Sequence, residues 1–372
     1  MYSYILLSFC DHHVIVFVNG GYKTPATATY DIGDVAINCG SVGNSAALDG
    51  REWIGEASSK FMPSLQPRGK SRSSTALQES SLSVDPVPYT TARISATPFY
   101  YTFQVSPGQK FIRLHFYPAS YRGFEKSMDF FTVKAGPFTL LRDFSASYAA
   151  DTSSVKYLVK EFCVNVEENR ELNIVFSPSL SSKSRNTCAF VNGIELISIP
   201  TGLYHTLDGD LGARIVNLMN RFHVIDNSTA LEVIQRLNIG GNSISPIEDF
   251  GMFRRWSEDA NYLLEPAGVH QVSHLAKRIK YTNMPAFIAP PKLYQTSWKI
   301  ERDARANKMH KLTWRIPADL GFGYLVRLHF SQFGAEMSTN EQREFRVVIN
   351  NHIAEAKANV IEWSGGAAIP AY

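Results

Sequence analysis

The chain has 372 residues, a length that indicates two domains of ordinary size. Hydrophobic residues make up 44% and charged residues 19%, a balance that excludes global disorder. The net charge of +3 at pH 7 is too small, and its cations too scattered, for a nucleic-acid-binding surface.

Residues 1–34 form a leader that the sequence does not assign to a domain. Met1–Phe9 is apolar, but Asp11, His12 and His13 interrupt it before Val14–Val18. A secretion signal has a basic start and an unbroken apolar run of about 7–15 residues, and this segment has neither. One interpretation is a degraded signal peptide.

Residues 35–200 are predicted to form a first β domain. Ile112, Leu114 and Phe116 alternate with polar residues, which is the period of a half-buried strand. Further strands are predicted at Tyr100–Val105, Phe130–Val133, Tyr157–Val166, Leu172–Phe176 and Ala189–Ile199. Short strands with turn signals between them favour a β-sandwich. The Ser-rich stretch Ser58–Ser83 is predicted to be an exposed loop.

Residues 201–236 are predicted to be a connector with a short helical segment. Thr229 followed by Glu232 fits a capping box that opens a helix at Ala230–Gln235. Apolar residues within Leu211–Phe222 also recur at helical spacing.

Residues 237–372 repeat the first domain. Phe111-Ile-Arg-Leu-His-Phe116 reappears 214 positions later as Leu325-Val-Arg-Leu-His-Phe330, and Phe131 returns at the same offset as Phe345. The repeat predicts inward-facing pairs at Ile112/Val326, Leu114/Leu328 and Phe116/Phe330, with Arg113 and Arg327 on the opposite face. The last strands of the first copy have no counterpart in the second, so we expect an incomplete second sandwich with unpaired edges.

Six segments carry a family resemblance. They are Thr91-Ala-Arg93, Phe116-Tyr-Pro118, Gly136-Pro-Phe-Thr-Leu-Leu141, Ala189-Phe-Val-Asn-Gly-Ile-Glu195, Asp226-Asn-Ser-Thr-Ala-Leu-Glu232 and Arg236-Leu-Asn-Ile-Gly-Gly-Asn242. In residues and order they resemble the malectin-like receptor kinases of plants, the FERONIA, ANXUR and THESEUS group. The resemblance runs from about Val35 to the C-terminus. It implies an all-β fold of two tandem malectin-like β-sandwich (jelly-roll-like) domains, the second C-terminally truncated.

The resemblance also implies a role at the extracellular face of the plasma membrane. Members of the family sense rapid alkalinization factor peptides with a GPI-anchored co-receptor, and several bind pectin. The chain departs from the family because it has no membrane span and no kinase H-R-D motif. We expect no enzyme activity, because it also lacks Gly-x-Ser-x-Gly and His-Glu-x-x-His motifs, and no metal site, because its cysteines form no Cys-x-x-Cys pair. We expect no cofactor, and the small net charge predicts no nucleic-acid partner. A full-length parent would carry the span and a Ser/Thr kinase. The alternative is a soluble, stand-alone malectin-like carbohydrate-binding protein without signalling, secreted if the chain is complete.

Two equivalent Arg/His pairs are candidates for a ligand face, namely Arg113 with His115 and Arg327 with His329. Arginine suits the carboxylates of an acidic sugar, and Tyr117 and Tyr121 would supply a stacking wall. The alternative, which the recurrence of the pair favours, is that both copies need the same internal hydrogen bonds.

Other candidates concern anions, a glycan and a disulfide. Two basic clusters are predicted to meet an anionic polymer such as pectin, namely Arg68, Lys70 and Arg72, and Lys277, Arg278 and Lys280. Asn227-Ser-Thr229 is the one acceptor sequence for an N-glycan. Cys163 and Cys188 either form a disulfide in an oxidising compartment or remain two separate buried thiols.

Overall fold

The computed structural model describes residues 3–8, 14–16, 34–58, 60, 64–65, 71–76, 84–167, 171–179, 186–218, 220–249, 251–265, 268–300, 311–333 and 344–372. The chain forms two compact units. Unit A comprises Thr29–Thr201 with Asn227–Val233, and unit B comprises Met1–Ala28, Gly202–Asp226 and Ile234–Tyr372. Within the described ranges, no helix is long and apolar enough to cross a membrane.

Strands account for most of the regular structure in the described residues. The first are β1 (Ser3–Ser8), β2 (Val14–Val16), β3 (Val35–Asn38), β4 (Ser45–Ala46), β5 (Glu52–Gly55), β6 (Ser64–Leu65), β7 (Ser71–Thr75), β8 (Thr91–Ser95), β9 (Phe99–Gln104) and β10 (Gly108–Phe116). They are followed by β11 (Phe131–Ala135), β12 (Phe138–Phe144), β13 (Leu158–Val166), β14 (Glu171–Pro178), β15 (Ala189–Val191), β16 (Gly193–Ser198), β17 (Ala213–Ile215), β18 (Phe222–His223) and β19 (Leu231–Glu232). The last are β20 (Leu237–Asn238), β21 (Ser257–Glu258), β22 (Leu263–Leu264), β23 (Val269–Ser273), β24 (Thr296–Ile300), β25 (Lys311–Arg315), β26 (Tyr324–Val326), β27 (Phe345–Ile349) and β28 (His352–Ala358). The α-helices are α1 (Pro86–Tyr89), α2 (Ala146–Ser153), α3 (Pro291–Tyr294) and α4 (Val360–Ser364).

Unit A is a β-sandwich. Its larger sheet has the order β19-β13-β10-β16-β3-β5-β4, and the facing sheet has the order β12-β11-β14-β9-β6. A third sheet, β15-β8-β7, completes the unit. The core lies between the two large sheets, where the rings of Phe116 and Phe131 meet with centroids 5.7 Å apart.

The predicted alternation in β10 is confirmed on its core side. Ile112, Leu114 and Phe116 are fully buried, and burying each side chain is worth roughly 1.5–3 kcal/mol. The alternate positions Arg113 and His115 are buried as well. The outer face of the sheet is therefore covered too, which a period-two pattern does not reveal.

Unit B has the same two-sheet plan. Its sheets have the orders β22-β25-β1-β27-β28 and β18-β17-β2-β26, with the separate pairs β20-β21 and β23-β24. Leu328 is half-buried and packs against a core that includes Trp314 and Val347. The ring centroids of Phe330 and Phe345 lie 5.5 Å apart, close to the 5.7 Å between their equivalents Phe116 and Phe131 in unit A.

The predicted helix at Ala230–Gln235 is wrong. Leu231–Glu232 is instead the edge strand β19, where Glu232 lies opposite Phe162 of β13 and the Glu232 carboxylate accepts from Lys160 Nζ at 2.7 Å. The helical spacing within Leu211–Phe222 belongs to the antiparallel pair β17-β18. Ser58–Ser83 is also more than a loop, because it contains β6 and β7. In each case, strand pairing outweighs the local signal.

Cys163 and Cys188 are separate buried thiols and not a disulfide. Cys163 lies opposite Phe111 in the β10–β13 ladder. The backbone of Cys188 instead pairs with that of Asp129 in an isolated parallel β-bridge. Burial, together with the Asp129 charge, raises the pKa of Cys188 to about 12. Of the two alternatives that the sequence left open, the structure has the separate thiols.

Candidate functional site

The Arg113–His115 pair lies in a buried ion network on the outer face of the larger sheet of unit A. Arg113 stands directly opposite Glu161 on β13 and Glu195 on β16 in the two antiparallel ladders. Its Nε donates to Glu161 Oε2 at 2.6 Å, and its Nη1 donates to Glu195 Oε2 at 3.1 Å. His115 Nε2 lies 2.7 Å from Glu195 Oε1, and Arg51 Nη1 donates to Glu195 Oε2 at 2.7 Å.

The charges of this network determine the state of Glu195. Burial alone raises the pKa of the Glu195 carboxyl, but the positive charge of Arg113 and the hydrogen bond to His115 outweigh it and hold that pKa well below its ordinary value. The side chains of Arg113 and Glu195 are 4% and 3% exposed. A ligand carboxylate has no access to Arg113, so the internal role is the interpretation that these contacts support.

Two aromatic side chains cover the network. Tyr89 Oη lies 2.9 Å from His115 Nδ1, and the Trp53 ring meets the His115 ring edge-on at 5.1 Å. Gly193, opposite His115 in the β10–β16 ladder, makes room for this cover. A Cβ at Gly193 would lie 2.7 Å from Pro88 and 2.8 Å from Trp53, closer than side-chain atoms approach.

In unit B, aromatic side chains contact His329 as they contact His115 in unit A, but Arg327 has different partners from Arg113. Tyr294 Oη lies 2.9 Å from His329 Nδ1, and Trp256 meets the His329 ring edge-on at 5.7 Å. Arg327 donates to the Leu203 carbonyl, and its guanidinium lies 4.9 Å from the Tyr204 ring centre and 4.8 Å from that of Tyr372. Burial and the charges of Arg327 and Arg254 hold the pKa of His329 well below its ordinary value. The histidine environment recurs between units, and the arginine environment does not.

The loop after β10 does not present a sugar-stacking wall at Tyr121. Tyr121 is buried; its hydroxyl donates to the Tyr117 carbonyl at 2.8 Å and accepts from Asn192 Nδ2 at 2.8 Å. Tyr117 is half-buried. The cavity beside the loop, lined in part by Tyr121 and Phe124, measures about 10 Å³. That volume is at the limit for one water molecule and far below that of a ligand pocket.

The basic cluster Lys277–Lys280 is a solvent-exposed site. Lys277, Arg278 and Lys280 are all exposed, and Gln295 fixes their loop by donating from Nε2 to the Lys277 carbonyl at 2.7 Å. Lys277 Nζ lies 5.9 Å from the centre of the Phe333 ring. The arrangement is three exposed cations, one of them beside an aromatic ring, which suits an acidic sugar polymer.

The second basic cluster lies only partly within the described residues. Arg72 is exposed on β7, whereas Arg68 and Lys70 lie outside the described residues.

The predicted glycan acceptor Asn227 is exposed in a turn ahead of β19. This geometry fits the surface position that an N-glycan needs.

An Asp-Phe-Gly tripeptide begins at Asp249, where it resembles the magnesium-binding motif of kinases. Asp249 is fully buried, and Arg254 donates to its carboxylate from Nε at 2.6 Å and from Nη2 at 2.7 Å. Arg254 also donates to the Phe287 and Ile288 carbonyls. Asp249 therefore fixes a loop and does not carry kinase chemistry.

Glu161, Glu195 and Asn192 are structural residues that the sequence interpretation missed. Asn192 is fully buried and connects three segments by donating to the Thr91 carbonyl and Tyr121 Oη and accepting from Tyr117 N at 2.7 Å. The Asn-Gly dipeptide after an apolar run was the available signal for it. For Glu161 and Glu195 the only signal in the sequence was their alternation with apolar residues, because their partner Arg113 lies on another strand.

Comparison with known proteins gives consistent similarities. Residues 37–371 match the family model of the malectin-like domain. Receptor-like protein kinase FERONIA of Arabidopsis thaliana is 41% identical over 339 residues, which are 90% of this chain and 37% of FERONIA. The chain is similar to FER in the crystal structure of plant peptide RALF23 in complex with FER and LLG2, at 39% identity and a TM-score of 0.79, covering 92% of this chain and 85% of the other. It is also similar to the ANXUR1 extracellular domain of Arabidopsis thaliana, at 32% identity and a TM-score of 0.80, covering 91% and 86%. The chain thus spans little more than a third of FERONIA, and the matched part is a non-catalytic ectodomain.

Proposed function

The chain belongs to the malectin-like family of receptor-kinase ectodomains, and from that membership we propose that it senses a secreted peptide at the plant cell surface. The observation that carries the proposal is its likeness, along nearly its whole length, to FER in the complex with RALF23 and LLG2. In this role the chain lies outside the cell, and its partners are a peptide of the RALF23 class and a co-receptor of the LLG2 class. The buried Arg113 network serves as scaffold.

The experiment is a binding titration of the chain with RALF23, with and without LLG2, by biolayer interferometry. We expect saturable RALF23 binding that LLG2 strengthens at least tenfold. The FERONIA ectodomain is the positive control, and a scrambled RALF23 sequence is the negative control. Binding by FERONIA but not by this chain, with or without LLG2, would contradict the proposal.

A second function rests on the exposed Lys277–Lys280 cluster. We propose that it binds an acidic cell-wall polysaccharide of the pectin class, which would serve a receptor and equally a soluble carbohydrate-binding protein. Gln295 ties the loop backbone at the Lys277 carbonyl, so binding has to order the exposed side chains of the cluster but not that part of their loop. Exposed charge contacts are worth on the order of 0–1 kcal/mol each and weaken with salt, so the cluster acts as a unit.

The test compares two triple-alanine variants in binding to polygalacturonate. Replacing Lys277, Arg278 and Lys280 should weaken binding and flatten its salt dependence. Replacing the exposed Lys134, Arg142 and Lys156 of unit A removes the same charge elsewhere and should change little. Equal losses of polygalacturonate binding in the two variants would contradict binding at a defined site. The Arg68, Lys70 and Arg72 cluster stays a prediction that the same design can test.

We also propose that Asn227 carries an N-glycan. The acceptor asparagine is exposed and lies in a turn, where the glycan meets solvent. Protein secreted from plant cells should lose mass on treatment with peptide-N-glycosidase A, and Asn227→Gln should abolish that loss. Asn261→Gln, an exposed asparagine outside any acceptor sequence, is the matched control. An unchanged mass loss in Asn227→Gln would overturn the assignment.

A further inference from the structure

The N-terminal strand β1 lies inside a sheet of unit B. It pairs in parallel with β25 on one side, where Ile5 is opposite Leu312, and with β27 on the other, where Ile5 is opposite Val347. Five register pairs form on each side. β1 is therefore a central strand, and it satisfies backbone groups of two neighbours at once.

The internal repeat identifies the position that β1 occupies. β27 is equivalent to β11, because Phe345 follows Phe131 by the repeat offset, and Leu312-Thr-Trp314 of β25 corresponds to Tyr101-Thr-Phe103 of β9. In unit A the strand between β11 and β9 is β14, which pairs antiparallel with both. The orders β12-β11-β14-β9 and β28-β27-β1-β25 then match strand by strand. β1 has the position of β14 with the opposite direction.

The second N-terminal strand extends the same arrangement to the other sheet. β2 pairs in parallel with β26, where Ile15 is opposite Leu325, and antiparallel with β17. Leu325 is the repeat equivalent of Phe111 in β10, which has strand neighbours on both sides in unit A. The N-terminal segment thus gives one strand to each of the two larger sheets of unit B.

Backbone hydrogen bonding explains why such a position must be filled. Two strands held apart by one strand width expose two facing rows of N–H and C=O groups, which are costly when buried and invite foreign strands when exposed. The run Tyr4-Ile-Leu-Leu7 is continuously apolar, as is typical of strands covered on both faces. A parallel occupant satisfies both rows, though parallel pairing is slightly less stable per residue than antiparallel pairing.

We propose that unit B contains a strand-acceptor slot between β25 and β27, and that Ser3–Ser8 of the same chain is its occupant. The N-terminal segment is then an integral structural element of unit B. When it is withdrawn, the slot becomes a surface that accepts another extended apolar strand. This segment pairs with the facing edges of β25 and β27 and with one edge of β26, whereas β26 stays at the end of its sheet.

Hydrogen exchange on the full chain tests the slot. Leu6→Pro removes a ladder N–H from β1, whereas the matched Leu6→Val keeps both the N–H and strand propensity. We expect Leu6→Pro to speed amide exchange at least tenfold in Leu312–Trp314 and Val347–Ile349, with no change in Tyr101–Phe103 of unit A. Equal exchange in the proline and valine variants would overturn the proposal.

A cross-link tests the occupant without depending on a destabilised variant. In a Cys10→Ser background, Ile5→Cys with Val347→Cys joins two register partners, and Ile5→Cys with Lys134→Cys is the unmatched control. Mild oxidation should give a disulfide-linked monomer for the first pair alone. A linked dimer would mean that a second copy supplies the strand, and absence of a cross-link would mean that the slot is not filled by β1. Either result contradicts the proposal.

Discussion

Replacing Arg113 with methionine probes the energetics of the buried network directly. Methionine fills a similar volume with a flexible apolar chain, so the main change is loss of the cation between two carboxylates. Arg113 gives up hydrogen bonds of 2.6 Å to Glu161 and 3.1 Å to Glu195, and the two acidic side chains are 9% and 3% exposed. Removing one partner of a buried ion pair costs about 3–5 kcal/mol.

The exposed pair Lys126–Asp151 provides a matched control. Its N–O distance is 2.7 Å, but its side chains are 40% and 67% exposed. Lys126→Met should therefore cost at most about 1 kcal/mol. The contrast separates the effect of burial from that of the ion pair itself.

The assay is hydrogen exchange of the β10 amides together with urea unfolding of unit A. A loss of 3–5 kcal/mol corresponds to exchange through unfolding that is about a hundred- to several-thousandfold faster. Adding Glu161→Gln and Glu195→Gln to Arg113→Met should restore part of the loss, because the buried negative charges are then gone. A loss in Arg113→Met within 1 kcal/mol of the Lys126→Met value would refute the reasoning.

Three further predictions concern unit A. The folded-state pKa of Glu195 lies below its unfolded value of about 4.3, so its contribution to stability is complete above that pH and lost as the pH falls toward the folded pKa. The stability difference between wild type and Glu195→Gln should thus be constant from about pH 5 to 7 and shrink below about pH 4 in urea titrations; a difference growing toward acid would contradict this. Gly193→Ala places a Cβ 2.8 Å from Trp53 and should lower the free energy of unfolding by about 1–3 kcal/mol, whereas Gly43→Ala, with no atom within 4 Å, should not. Cys188, with a pKa raised to about 12, should react with iodoacetamide at pH 8 much more slowly in the folded protein than in urea; fast labelling of the folded chain would count against its burial.

The sequence was sufficient for the features that depend on local patterns. Alternation in Ile112, Leu114 and Phe116 predicted a core-facing strand, and its return 214 positions later predicted the second domain. The ordered motifs predicted the malectin-like family. These features follow from strand periodicity and from short contiguous segments, both of which can be recognised without knowing which strands are neighbours.

The tertiary structure alone decided which distant groups meet. Arg113 reaches Glu161 and Glu195, which lie 48 and 82 positions away, only because β10 pairs with β13 and β16 in one register. Pairing with distant strands also explains why Leu231–Glu232 forms a strand despite a helix signal, and why β1 is a central strand of a sheet in unit B. Strand pairing is non-local, since the ladder satisfies backbone groups of segments far apart in the chain. A period-two pattern predicts the face of the sheet on which each residue lies, but not its neighbour on the next strand. In this chain the neighbours of Arg113 are Glu161 and Glu195, so the predicted ligand face is a buried ion network.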